Sequence, residues 1–221
     1  MIAGVVLAAG VSRRMGRSKA LLPWRAGETV IEAVIRALQT GGVSVVWVVG
    51  GFRLAELSTV AAPLGAVTLF NPDYAMGEML SSLKVGLSSL PVTVAAALIA
   101  LGDQPRLSPE AVKQVVEFGQ QTGSDGIIAP AVETPGGVVR GHPILVPRRF
   151  WGEFLALSAG AAPREMFRRR PDLLHLALTD DDAVLSDIDT PEQYAAERQK
   201  AGLPPIELNK VREGDAERAL D

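Results

Sequence analysis

The chain has 221 residues, 48% of them hydrophobic, with a formal net charge of -3 and no cysteine. That length and apolar content suit one domain with a sizeable core. The absence of cysteine excludes disulfides and thiolate metal sites and fits a reducing compartment such as the cytoplasm, while the mildly acidic balance speaks against a nucleic-acid partner, which needs an extended basic face.

The start Met1-Ile2-Ala3-Gly4 has no basic leader and no apolar run reaches bilayer length, so neither secretion nor a membrane partner is expected. Val5-Val6-Leu7 reads as a buried strand that breaks into Ala8-Ala9-Gly10-Val11-Ser12-Arg13-Arg14-Met15-Gly16-Arg17-Ser18-Lys19. Ala8, Ala9 and Gly10 remove side-chain bulk, so backbone N–H groups can face an anion, and four cations follow within the same turn. A polyphosphate suits this chemistry, and the carboxyl end of a first strand is where an open α/β sheet binds its ligands. The spacing fits neither a P-loop nor the dinucleotide pattern Gly-x-Gly-x-x-Gly. The bland alternative is a basic surface turn.

Downstream, Glu28 to Leu38 has helical periodicity, with Glu28 or Thr29 near its start and Gly41-Gly42 at its end. Val43 to Val49 reads as a central parallel strand, Leu54 to Val60 as a short helix, and Ala66 to Phe70 as another strand. This alternation signals a three-layer α/β domain. Asn71-Pro72 leaves the strand, and Gly77 stands ahead of a helix whose first turn holds Ser81 and Ser82, donors that suit a nucleotide or an ordinary capped loop.

Val92 to Leu101 is the most apolar segment and runs into Gly102-Asp103-Gln104-Pro105, which sets a carboxylate past the end of a buried strand, on the rim of the first loop. Mg²⁺ prefers such hard oxygen ligands together with phosphate oxygens, and Ser108 next to Pro109 already fills the neighbouring helix cap. A helix over Pro109 to Gln121 and a strand over Asp125 to Pro130 follow, then a turn from Thr134 through Gly141-His142-Pro143 into a strand ending at Val146. Arg148 to Leu155 reads as helix, Arg168-Arg169-Arg170 as a solvated face, and Leu173 to Leu178 as strand. In Asp187-Ile188-Asp189-Thr190-Pro191-Glu192, either Asp189 or Thr190 caps a helix. Residues 1–200 are read as a single domain and 201–221 as a charged tail.

The pattern Leu-Ala-Ala-Gly-x-Ser-x-Arg-Met-Gly-x-x-Lys resembles the signature loop of nucleotidyltransferases that make molybdenum-cofactor dinucleotides, most closely the cytidylyltransferase branch and more distantly the sugar-phosphate nucleotidyltransferases. The string Leu-Gly-Asp-Gln-Pro matches the same branch. The resemblance implies a Rossmann-like nucleotidyltransferase fold, α/β/α with a mostly parallel sheet, and Mg²⁺-dependent transfer of CMP from CTP to the phosphate of molybdopterin. It also implies that Leu7, Ala8, Ala9, Gly10, Ser12, Arg14, Lys19, Gly77 and Ser82 bind nucleotide and that Arg14, Lys19 and Asp103 carry catalysis. His142 and Arg164 would meet the second substrate. Asp103 with Asp189 would hold the metal, Asp187 being the other candidate. Ala159 to Pro163 departs from the family, which commonly has an Asp there. Guanylyl transfer from GTP, transfer to a sugar phosphate, and a non-catalytic carrier serving a molybdenum hydroxylase are the alternatives.

Overall fold

The computed structural model describes residues 1–12, 15–76, 78–123 and 125–206, so Arg13, Arg14, Gly77, Ser124 and the tail from position 207 lie outside the described residues. Strand β1 (Ile2–Ala8) buries Ala3, Val5 and Val6 completely. After the loop come two short strands, β2 (Pro23–Arg25) and β3 (Glu28–Thr29), that pair with each other. This small ladder delays helix α1 to Val30–Thr40, two residues past the expected start, where Thr29 and Glu32 close a capping box. One face of α1 buries Ile31, Val34, Ile35 and Leu38, each worth about 1.5–3 kcal/mol relative to exposure.

Strand β4 (Val46–Gly50), helix α2 (Leu54–Ala61), strand β5 (Val67–Phe70), helix α3 (Met79–Ser89) and strand β6 (Ala96–Leu101) continue the alternation. β6 is shorter than the apolar run because Val94 N–H donates to Pro91 C=O in a turn that uses up its first residues. Helix α4 spans Pro109–Gln121, and the Ser108 hydroxyl accepts from Ala111 N–H at 3.1 Å, as its cap position requires. Strand β7 (Ile127–Thr134) extends past the expected Pro130 and turns into β8 (Gly137–Arg140), and β9 (Ile144–Pro147) follows. Helices α5 (Trp151–Leu155) and α6 (Arg164–Arg169), strand β10 (Leu174–Leu178) and helix α7 (Pro191–Lys200) complete the described chain.

The main sheet has the order β10-β7-β9-β6-β1-β4-β5, with β8 paired to β7. β1 lies parallel between β4 and β6, and β9 runs antiparallel to both β6 and β7, so the sheet is mostly parallel. Helices cover both faces: α1, α2 and α4 bury Ile35, Leu57 and Val112 on one, while α3, α5 and α6 bury Leu83, Trp151 and Phe167 on the other. Rossmann-like α/β/α layering is therefore what the chain adopts. Among the described residues no helix is long and apolar enough to cross a membrane.

A third apolar cluster joins parts far apart in sequence, with Met15 and Leu22 from the first loop, Trp24 from β2, Val30 from α1, Ile188, and Tyr194 from α7. Two polar contacts reinforce it, since the Tyr194 hydroxyl donates to Pro23 C=O and the Arg198 guanidinium donates to Trp24 C=O. The last helix is thereby tied to the segment that follows the basic loop.

Gly86 lets α3 rest on β1, because a Cβ there would stand 2.5 Å from Val5 Cγ1. Gly86→Val is expected to lose about 1–3 kcal/mol of stability through overpacking, read as a lowered urea midpoint with an unchanged slope.

Candidate active site

The loop after β1 is braced internally before any ligand is considered. Ser12 takes a left-handed backbone (φ 51), unusual for a residue with a Cβ, and its carbonyl accepts from Met15 N–H and Gly16 N–H at 2.9 and 3.2 Å. Its hydroxyl accepts from Lys19 N–H at 3.2 Å. Ser12 thus fixes where the Lys19 backbone sits, and the side chain then reaches across the carboxyl ends of the strands.

There Lys19 Nζ donates to Asp103 Oδ2 at 3.2 Å and also donates to Asp189. The three side chains are 16%, 24% and 36% exposed respectively, so this is a half-buried triad rather than a surface pair. Burial alone would lower the Lys19 pKa, but the hydrogen bonds and charges of Asp189 and Asp103 outweigh it and hold the ammonium above its ordinary value. Burial raises the Asp103 pKa despite the lowering effect of Lys19, and the charges of Asp187 and Asp189 add to the rise.

Asp103 stands beyond β6 because Gly102 brings the end of that strand against β1, where a Cβ would meet Ala8 Cβ at 2.8 Å. Asp189 arrives from the other end of the chain. Ile188 N–H donates to Asp103 C=O at 3.1 Å, Gln104 Nε2 donates to Val184 C=O at 3.4 Å, and Arg106 donates to Ser186 Oγ at 2.7 Å and to Glu197 Oε2 at 2.5 Å. Thr190 is the cap of α7, with Gln193 N–H donating to its hydroxyl and the Gln193 side chain accepting from Thr190 N–H. That settles the choice of cap and leaves the Asp189 carboxylate to meet Lys19.

A cleft of about 390 Å³ opens over this triad. Of the sequence-predicted residues it gathers Leu7, Ala8, Gly10, Ser12, Lys19, Asp103 and Asp189. A Cβ on Gly10 would meet nothing within 4 Å, so its backbone faces open space. Met76, 74% exposed at the mouth, and Gly102 also line the cleft and were not singled out in the sequence. Met76 stood beside a predicted loop glycine, which was the available signal.

Other expected site residues do not join the cleft. Ala9 is buried, its carbonyl turned to the Gly51 and Tyr74 side of the loop, where a Gly51 Cβ would stand 3.0 Å from it. Ser82 is also buried and accepts from Asn71 Nδ2 at 3.0 Å, which makes it a brace between the end of β5 and α3. His142 is held by its own N–H donating to Val184 C=O at 2.9 Å, and burial, with the nearby Arg140 charge, pushes its pKa down to about 4. Arg164 lines a separate cleft of about 360 Å³ with Arg140, Glu165, Phe167, Arg168, Pro171 and Leu174. Arg14 and Gly77 are outside the described residues.

Among the described residues no group of three or more His, Asp or Glu forms a ready metal cage. Asp103 and Asp189 line the cleft together and both present their carboxylates to Lys19. Asp187 acts on Asp103 through charge.

An open α/β sheet with a small-residue loop and an acid pair on its carboxyl rim has the build of a nucleotide-handling enzyme. The family model described as MobA-like NTP transferase domain matches residues 4–174, and the chain belongs to that family of nucleotidyltransferases. It is 30% identical over 194 residues to nicotine blue oxidoreductase of Paenarthrobacter nicotinovorans, covering 87% of this chain and 94% of that protein. It is 29% identical over 200 residues to molybdenum cofactor cytidylyltransferase of Escherichia coli (strain K12), covering 89% and 95%. Among solved structures, Rv0371c from Mycobacterium tuberculosis H37Rv superposes with a TM-score of 0.75 at 25% identity over 90% of this chain and 97% of that one.

The depressed pKa of His142 has a consequence for stability. The unfolded chain takes up a proton near pH 6.5 that the folded chain refuses until about 4, so this contribution is intact above 6.5 and is lost as pH falls through that window. His142→Gln is expected to flatten the fall in stability between those limits, as measured by urea denaturation at a series of pH values.

Proposed function

We propose that the protein transfers CMP from CTP to the phosphate of molybdopterin, or a closely related phosphate monoester, with release of pyrophosphate. The observation that carries this reading is the meeting of Lys19, Asp103 and Asp189 in one cleft below Gly10. Similarity to the Escherichia coli cytidylyltransferase supports the choice of base and acceptor.

In this reading the backbone around Gly10 receives the triphosphate. An acceptor phosphate oxygen attacks the α-phosphorus in line, the bond from that phosphorus to the bridging oxygen breaks, and pyrophosphate leaves with the electron pair. No general base is needed, because a phosphate monoester is already ionised near neutral pH. Lys19 offsets the charge that grows on the departing pyrophosphate, together with Arg14 on the sequence pattern. Asp103 and Asp189 offer only hard oxygen donors, with the Lys19 ammonium between them as a stand-in cation, which fits Mg²⁺. When bound, that ion supplies positive charge to the phosphate oxygens. The cleft of Arg140, Arg164 and Arg168 is the seat we assign to an anionic part of the acceptor, and the Arg140 guanidinium lies 4.4 Å over the Phe167 ring there.

The similarity to an oxidoreductase does not carry a second reading. The loop lacks the dinucleotide glycine spacing, and the transfer proposed above gives the acid pair around Lys19 a role.

Lys19→Ala and Asp103→Ala are each expected to stay folded and to lose about 10²–10³ in the rate of pyrophosphate release. The assay is run with CTP, GTP, ATP and UTP in the presence of molybdopterin. Turnover at the parent rate in both variants overturns the assignment, and preference for GTP overturns the choice of base. Nucleotide binding without turnover by the parent protein indicates a carrier.

A further inference from the structure

Helix α3 starts just after Met76, which lines the cleft over Lys19, and packs through Leu83 and Leu87 against Trp151 and Phe154 of α5. From α5 the chain continues to α6, whose Arg164, Phe167 and Arg168 line the other cleft with Arg140. The connection between them, Ser158-Ala159-Gly160-Ala161-Ala162-Pro163, has no charged side chain of its own. Its position is set from outside.

Two side chains of the α3 segment do this. Lys84 Nζ donates to Leu157 C=O at 2.6 Å, and Gly160 N–H donates to Glu78 Oε2 at 3.1 Å. Gly160 has a left-handed backbone (φ 85), which residues with a Cβ rarely adopt, and in that conformation its N–H meets the carboxylate. Glu78 stands at the cap position of α3 without bonding its own helix there, so its carboxylate is left for this reach. Its backbone is braced. Ser81 Oγ donates to Glu78 C=O at 2.9 Å, and Asn71 Nδ2 donates to Ser81 Oγ at 2.9 Å, which ties the start of α3 to the end of β5. Past Gly160, Ala162 N–H donates to Glu165 Oε1 at 3.0 Å as α6 begins. Hydrogen bonds thus lead from the neighbourhood of one cleft to the helix that carries arginines of the other.

The placing of α6 has a chemical consequence. Arg140, Arg164 and Arg168 have no carboxylate partner among the described residues, and Glu165, the acid among the residues lining their cleft, is engaged by Ala162 N–H and by Arg169. Where α6 stands decides where two of these three guanidinium groups stand.

We propose that Glu78 is a positioning residue for the second substrate. Through Gly160 it holds segment 158–163, and with it α6, so that an anionic acceptor seated on Arg140, Arg164 and Arg168 is presented to the nucleotide. Lys84 holds the other end of the same segment through Leu157. This inference rests on the transfer reading above and on the seat assigned there to the acceptor. Glu78 lines neither cleft, so its loss impairs use of the acceptor and leaves use of CTP as it was.

Two measurements on the full chain test this, using Glu78→Ala and Glu78→Gln, the second of which keeps a side-chain oxygen to accept from Gly160 N–H. In the first, hydrogen–deuterium exchange is followed by mass spectrometry. Glu78→Ala is expected to speed exchange across 158–169 by about 3- to 10-fold, as loss of one hydrogen bond allows, with β1 and β6 unchanged and Glu78→Gln close to the parent. In the second, pyrophosphate release is measured while molybdopterin and CTP are varied in turn. Glu78→Ala is expected to raise KM for molybdopterin by about 10- to 100-fold, the cost of a small misplacement, with KM for CTP unchanged. Gly160→Ala, which strains the left-handed turn, is expected to act in the same way and to add little in the double variant. Parent-like exchange in Glu78→Ala, an unmoved KM for molybdopterin, equal rises in KM for both substrates, or a Glu78→Gln variant as impaired as Glu78→Ala overturns the positioning role while the transfer reading stands. If the parent releases no pyrophosphate with any nucleotide, the transfer reading fails, and the exchange result alone decides whether Glu78 holds the segment. Should Glu78→Ala not fold, Gly160→Ala takes its place in both measurements.

Discussion

Everything in the catalytic rim depends on the contact of Lys19 with Asp103 and Asp189. Unit charges about 4 Å apart attract by about 4 kcal/mol at an effective dielectric of about 20 but only about 1 kcal/mol in water, so partial burial is what gives this contact its weight. The three residues come from the loop after β1, the end of β6 and the turn before α7. No short-range propensity brings them together. Their meeting follows from the apolar cluster of Trp24, Val30, Ile188 and Tyr194, and from the Arg106 network that pins the returning segment.

The glycines around this contact do different jobs. Gly10 has open space beside it, whereas the missing side chain of Gly102 lets β6 close on β1 and that of Gly51 lets Tyr74 pack beside the Ala9 carbonyl. An alanine-rich strand end is thus read in two ways at once: Ala8 lines the cleft, and its neighbour Ala9 is buried and supports the loop from behind.

Two relatives of nearly equal similarity bear names from different reaction classes, one an oxidoreductase and the other a cytidylyltransferase. Fold and overall identity do not choose between them, because function lies in the site grafted onto a shared frame. Here the frame supplies a cleft of about 390 Å³ in which a lysine meets two acids.

Much of the architecture was legible in the residues. The β-branched and alanine-rich runs at Val46–Gly50 and Ala96–Leu101 could be buried only as central strands, and Ser108-Pro109 could be little but a helix start. The same local reading missed the β2–β3 ladder, since segments of three and two residues carry no period. It singled out Ser82 without the means to see that its hydroxyl receives the Asn71 amide. It grouped Arg164 with the nucleotide site's second substrate but had no means of seeing that Arg140 and Arg168 join it in another cleft. Sequence alone determined the layers, the basic loop and the acid after β6, because apolar periodicity and residue chemistry are local properties. Only the tertiary structure decided that Asp189, and not the capping Thr190, returns to Lys19, because that depends on long-range packing of α7 against β2 and on hydrogen bonds between segments that are distant along the chain.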